Sequence, residues 1–354
     1  MAYTDIDDPT IYFNTKLYTG TGSSNAITGV GFQPDWVWVK NRTGTNNHRV
    51  ANSVLGSAEV HAPNIVNIGP DSSYFSSFNS DGFTVGTAAD PNVDGGSFVS
   101  WNWKAGTSFT NDASSTSVGT IDSAGSVSTA SGFSIVSYTG TGTAGTIAHG
   151  LGKLPKMIIA KNLSDAENWV VYFLDTSIAY NNVNNYLELN TTIASTGDSG
   201  ARWGAYANYS TTTFGVGTDD GTNKSGSEYV AYVFSDIQGY SKIGKYTGNG
   251  NADGTFVYTG FKPAFFLVKR TDSTPSWTLL DNKRDPFNVT TERLFPNENV
   301  AGSVGTNANT DFLSNGVKIR VNHNNFNNSG GSYIYMAFAE SPFVTSTGIP
   351  ATAR

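Results

Sequence analysis

Three tracts of this chain share one pattern, and that repetition limits its folds more than any other feature. Gly31-Phe32-Gln33-Pro34 runs into Asp35-Trp36-Val37-Trp38-Val39-Lys40; Lys153-Leu154-Pro155 runs into Lys156-Met157-Ile158-Ile159-Ala160-Lys161; Phe261-Lys262-Pro263 runs into Ala264-Phe265-Phe266-Leu267-Val268-Lys269. In each, a glycine-containing turn and a proline precede four apolar residues, and a lysine closes the run. Proline cannot donate to a sheet ladder but is tolerated where a strand begins, so each tract predicts a turn followed by a buried strand. Tyr18-Thr19-Gly20-Thr21-Gly22 recurs as Tyr138-Thr139-Gly140-Thr141-Gly142 and as Tyr246-Thr247-Gly248-Asn249-Gly250. The tyrosines lie 120 (138 − 18) and 108 (246 − 138) residues apart. A third landmark keeps the same order: Ser97–Trp103, Ser227–Phe234 and Ser332–Phe338.

The pattern predicts an all-β chain of three tandem antiparallel β-sandwich modules; it does not separate a jelly roll from an immunoglobulin-like sandwich, and unit size and turn density favour the lectin-like jelly roll. The expected division is a segment 1–15, units 16–105, 133–236 and 237–341, a Ser/Thr/Gly-rich linker 106–132 and a tail 342–354. The linker reads as semi-flexible. Its length predicts that units two and three abut while unit one sits apart. Ser80-Asp81-Gly82 and Ser314-Asn315-Gly316 predict tight hairpins. Charged residues are only 14% while glycines number 39, which suits many turns and neutral outer faces. A net charge of −7 argues against nucleic acid or an anionic membrane as partner. Absence of cysteine excludes disulfides and thiolate chemistry. The acidic opening does not resemble a signal peptide, and no apolar run reaches membrane-spanning length.

Little points to chemistry. His48, His61, His149 and His323 are scattered and lack metal-ligand spacing. Asp90–Gly95 resembles the start of a calcium loop, but Trp101 stands where a bidentate Glu is needed, so a hairpin turn is expected. Asp219-Asp220-Gly221 reads as a turn. Asp175, Glu188, Asp281 and Asp285 are the carboxylates available to a glycan hydrolase, and no motif pairs them. No catalytic, cofactor or metal residues are assigned. Trp36/Trp38 and Trp101/Trp103 align with ordinary apolar residues in the other units and are expected inside. Trp169, Trp203 and Trp277 fall in less regular stretches and are candidates for glycan contact. Ile11, Tyr12 and Phe13 either cover the edge of the first unit or anchor the chain to a neighbour.

The opening Met1-Ala2-Tyr3-Thr4 with Asp7-Asp8-Pro9, the repeated cassettes and the closing Tyr333–Phe343 resemble the tandem β-sandwich virion proteins of marine tailed bacteriophages, cyanophages included. That resemblance implies a non-enzymatic virion protein of the tail fibre or head-projection kind, exposed on the particle and made in the host cytoplasm. The implied role is a tail-associated adhesin held by residues 1–15, a trimer, touching other virion proteins and host surface glycan. A head decoration protein and a glycan-degrading tailspike are the alternatives.

Overall fold

The computed structural model describes residues 3–66, 69–174, 185–197 and 199–352. The first strand set is β1 (Phe13–Thr19), β2 (Asn25–Thr28), β3 (Trp36–Asn41), β4 (Arg49–Asn52), β5 (Gly56–His61), β6 (Phe75–Asn79), β7 (Gly82–Val85), one helical turn α1 (Ala89–Asn92) and β8 (Ser97–Trp103). Next come β9 (Thr107–Asn111), α2 (Ala113–Thr116) and β10 (Ser123–Ser128). The second set is β11 (Phe133–Thr139), β12 (Gly145–Ala148), β13 (Met157–Asn162), β14 (Val170–Phe173), β15 (Asn185–Glu188), β16 (Thr196–Gly197), β17 (Thr213–Val216), α3 (Asp220–Asn223) and β18 (Glu228–Phe234). The third is β19 (Ser241–Thr247), β20 (Phe256–Tyr258), β21 (Phe261–Arg270), β22 (Thr278–Asp281), β23 (Thr310–Leu313), β24 (Gly316–Ile319) and β25 (Ser332–Pro342).

One strand order recurs. In the first set β1-β8-β3-β4-β5 form one sheet and β2-β7-β6 a second packed on it; in the third, β19-β25-β21-β22 face β20-β24-β23. The second set has β11-β18-β13-β14-β15 inside an eight-stranded sheet, with β12-β17 as its companion. All these ladders are antiparallel. Jelly-roll nesting holds on the outside, where strand one lies beside strand eight and strand two beside seven. It gives way in the middle: β3-β4-β5 continue as a meander, and β6-β7 close a hairpin. Both two-residue hairpins form where Asn79 meets Gly82 and Leu313 meets Gly316.

Successive side chains of a strand point to opposite faces, and here both faces are covered. Val37 and Val39 join Phe83 and Phe98 inside the first sandwich, while Trp36 and Trp38 point the other way. Ile158 and Ala160 face the second sandwich and Met157 and Ile159 point away; Phe266 and Val268 face the third and Phe265 and Leu267 point away. The outward-turned residues of all three sets meet in one central core, which is the largest in the molecule. There the Trp36 ring stacks on Tyr232 at 4.4 Å, and Phe13 stacks on Phe338 at 5.1 Å. The alignment of Trp36, Trp38, Trp101 and Trp103 with core residues is borne out; none is more than 1% exposed.

Two expectations about organisation fail. The first set does not sit apart, because its tryptophans fill the shared centre. Residues 106–132 are not a loose linker: β10 pairs with β11 and β9 with β10, extending the second sheet. Small residues make that possible, since a Cβ on Gly125 would lie 1.9 Å from the Ile135 carbonyl oxygen.

Candidate functional surfaces

The lysine that ends each repeated tract is fully buried. Lys40, Lys161 and Lys269 each donate from Nζ to the next residue's carbonyl at 2.7 Å, and to a carbonyl four residues on at 3.1, 3.4 and 3.3 Å. Lys40 also reaches the Asn299 carbonyl of the third set at 3.2 Å, and Lys269 that of Thr192 in the second at 3.4 Å. Lys161 takes Glu167 O in its own set at 3.0 Å. Burial lowers the pKa of each ammonium to about 8. The carbonyls around it stabilise the charged form.

Eight residues past each lysine (48 − 40, 169 − 161, 277 − 269) stands a ring that spans a seam between sets. Trp169 donates from Nε1 to Ala62 O at 3.0 Å, and Trp277 to Glu188 O at 2.9 Å. His48 accepts from Trp38 Nε1 at Nδ1 (2.9 Å), which leaves Nε2–H to donate to Phe295 O at 3.1 Å. Asparagines Asn64, Asn190 and Asn297 hold the same three ring residues by their backbone N–H at 2.9–3.0 Å. Set two thus grips set one, three grips two and one grips three. A head-to-tail contact that closes on itself generates a ring, and here the ring lies within one chain.

The third-to-first seam has no covalent connection, and it carries further contacts. Arg42 makes a two-pronged pair with Glu292 at 3.0 and 2.9 Å, and Trp101 Nε1 donates to Asp281 at 3.1 Å. Residues 3–12 strap the same seam: Tyr3 Oη donates to Gly260 O at 2.6 Å, Thr4 Oγ1 to Gln238 O at 2.9 Å, and Ile6 enters the central core. Ser346 N donates to Asp7 at 2.6 Å, tying the C-terminal tail to the strap.

This geometry corrects the candidates. Trp169, Trp203 and Trp277 are at most 1% exposed, so they cannot stack on a sugar; two close the ring, and Trp203 fills the second sandwich. Phe13 is buried among Trp103, Phe265 and Phe338, and Tyr12 packs half-buried on Tyr240. Only Ile11 of that trio is free for an outside partner, at 47% exposure. Asp281 is buried against Arg284 at 2.5 Å, Asp285 accepts from Thr291 N, and Glu188 holds Thr191 and lies 3.8 Å from Arg202. Asp175 lies outside the described residues. Asp90 pairs with Arg49 at the start of α1, and Asp219 caps α3, so both stretches form helical turns. The expected hairpin at Asp90–Gly95 is therefore corrected. Buried His61 and His149 are pushed down to about 4 by desolvation, and half-buried His323 is lowered by the same cause.

Register divides the molecule into two ends. Phe13 pairs with Trp103 and Thr19 with Ser97, and β3 runs alongside in the same sense, Trp36 to Trp103 and Asn41 to Phe98. The starts of β1, β3 and their counterparts therefore lie together with the strap, the tail and residues 104–106. At the opposite end are the three Tyr-Thr-Gly-x-Gly loops. Each is pinned by a fully buried asparagine: Asn92 accepts from Thr21 N at 2.9 Å, Asn223 from Thr141 N at 2.8 Å, and Asn327 from Asn249 N at 2.9 Å. Their amides donate back to Ser23 O, Thr143 O and Asn251 O. The loops are exposed, and their side chains are almost all neutral. The sequence contains a signal for the seam rings, namely Asn47-His48, Asn168-Trp169 and Ser276-Trp277 at constant spacing from the lysines.

A family model described as "Domain of unknown function (DUF7483)" matches residues 8–342. That single match spans all three strand sets. No curated protein and no solved structure matches the chain.

Proposed function

The chain belongs to the DUF7483 family, and we propose that the protein is a non-catalytic structural protein of a bacteriophage virion, tail-associated and exposed on the particle surface. Its terminal end joins other virion proteins and its loop end meets host surface glycan. The observation that carries this is the polarity just described: the strap of residues 3–12 and the described tail lie at one end, and three equivalent pinned loops lie at the other. The sequence resemblance to tandem β-sandwich virion proteins supports it. A loop held by a buried asparagine is already ordered before it meets a ligand, which lowers the entropic cost of contact. Three such loops on one rigid body add avidity to individually weak contacts. With the candidate tryptophans buried, the neutral Thr, Ser and Asn groups of the loops are the surface offered to glycan.

Immunogold labelling of intact particles, using antibody raised to residues 140–144, tests the proposal. Gold on the tail is the expected result. Gold distributed over the capsid lattice would replace it with the head-decoration role, and unlabelled particles would end it.

A further inference from the structure

The outer face of the third sandwich departs from the threefold pattern. β20 pairs with β24 as β2 pairs with β7 and β12 with β17, which fixes the equivalent positions. Val257, Ile27 and Ile147 point into their own cores, so their strand neighbours point outward. Those neighbours are Ala26 and Thr28 in the first set, Thr146 and Ala148 in the second. In the third they are Phe256 and Tyr258, 42% and 54% exposed. The Phe256 ring lies across Gly316, where an added Cβ would come within 2.8 Å of its Cζ. Tyr258 is also held, its hydroxyl 3.5 Å from that of Tyr3. Lys318 stands directly opposite Phe256 and pairs with Asp253 at 2.7 Å, while Arg320 pairs with Asp311 at 2.6 Å. The counterparts of Lys318 are Thr84 and Gly215.

Single exposed apolar residues are ordinary on a protein surface. Two adjacent rings, standing where the other sets carry Ala and Thr, do not come from the shared module. Covering them with another protein gains little. At about 200 Å² for each whole side chain, their exposed fractions leave about 200 Å² of ring, against about 800 Å² per partner in a stable interface. That area suits one or two sugar rings. The C–H face of a pyranose is apolar and lies well on the electron-rich face of an aromatic ring, while its hydroxyls need hydrogen bonds at the rim. Asp253, with its side chain 79% exposed, offers them. Both ion pairs cancel, which selects a neutral saccharide. Thr255 Oγ1 donates to Thr247 O at 2.8 Å, so β20 begins against the third pinned loop and the rings continue the surface assigned above to glycan.

We propose that Phe256 and Tyr258 form a stacking platform for a neutral saccharide, with Asp253 and Lys318 hydrogen-bonding its hydroxyls. The inference rests on the host-glycan contact proposed above and gives that contact a site on the third set alone. An array of neutral and acidic oligosaccharides cut from bacterial surface polysaccharides, probed with the full chain, tests it. Binding to neutral members is expected. Phe256→Leu keeps a cover over Gly316 but removes the ring face, and Tyr258→Ala removes the other ring. Each should weaken binding at least tenfold with an unchanged melting temperature, whereas Phe256→Tyr should retain it. Undiminished binding by the first two variants overturns the platform and leaves glycan contact to the pinned loops. Binding confined to acidic members, or none by the parent, also overturns it. A dimer in sedimentation that Phe256→Leu dissociates would reassign the rings to a second copy of the chain. Gold on the tail beside a silent array would sink the platform alone, whereas unlabelled particles would sink the virion role itself.

Discussion

An ammonium with no water around it is costly unless something else solvates the charge, and Lys40, Lys161 and Lys269 are solvated by backbone carbonyls. Lys161→Met would strand the carbonyls of Asn162, Asp165 and Glu167 without their donor. Losing partners for buried acceptors costs about 1–3 kcal/mol, so urea denaturation should show a loss of about that size; an unchanged midpoint would refute the cage. The same groups set the pH response. Burial holds the three lysines near 8 in the folded chain, against about 10.4 when unfolded. Between those values the unfolded chain binds more protons, so stability rises with pH. Buried tyrosines such as Tyr18, Tyr138 and Tyr240, raised by desolvation, act in the opposite sense: their contribution is lost above about pH 10. His61 and His149 sit near 4 through burial, against about 6.5 unfolded. Acidification through that window therefore removes stability. Melting curves from pH 4 to 11 should climb from 4 to 6.5, climb again from 8 to 10 and then fall, and His61→Gln should flatten the acid limb.

At the level of elements, the pinned loop is the unit to test. Asn223 joins Thr141 N, Thr143 O and Gly217 O at 2.8, 2.7 and 2.6 Å. Asn223→Ala leaves all three without that partner, for an expected loss of about 2–3 kcal/mol, with faster amide exchange at Thr141. Unchanged exchange there would mean that the loop is ordered by something else. The strands of the repeats were legible because proline, an apolar run and lysine recur at fixed offsets, and a period of two can be read directly from residues. Residues 106–132 were misread because Ser123-Ala124-Gly125-Ser126-Val127-Ser128 has linker composition; smallness is what lets that strand lie against Ile135. β11 under it carries Ser134, Val136 and Ser137, while β1 and β19, which have no further strand on their outer side among the described residues, carry Lys16, Lys242 and Lys245. That charge difference between a paired edge and an open one was available in the sequence. The seam was harder to see, since the partners of Trp169, Trp277 and His48 are backbone carbonyls, which every residue possesses.

For the whole molecule, the closed ring changes the expected assembly. Three tandem modules joined by loose connections would melt separately, and each could associate with other chains to bury its outward-turned aromatics. Here those aromatics are already buried against the other two sets, and each described seam is filled by the chain's own residues. The threefold arrangement that a trimeric fibre would assemble from three chains is present within one, which predicts a monomer in place of the trimer implied by the sequence resemblance. Sedimentation should report 37.6 kDa, and calorimetry a single transition whose van't Hoff and calorimetric enthalpies agree. Residues 133–236 expressed alone should not reach a native fold, because Met157, Ile159, Tyr232 and Phe234 would face water where Trp36 and Phe338 now cover them. A folded, soluble 133–236 fragment or three resolved transitions would make the units independent domains, and the shared core would then contribute contact without cooperativity.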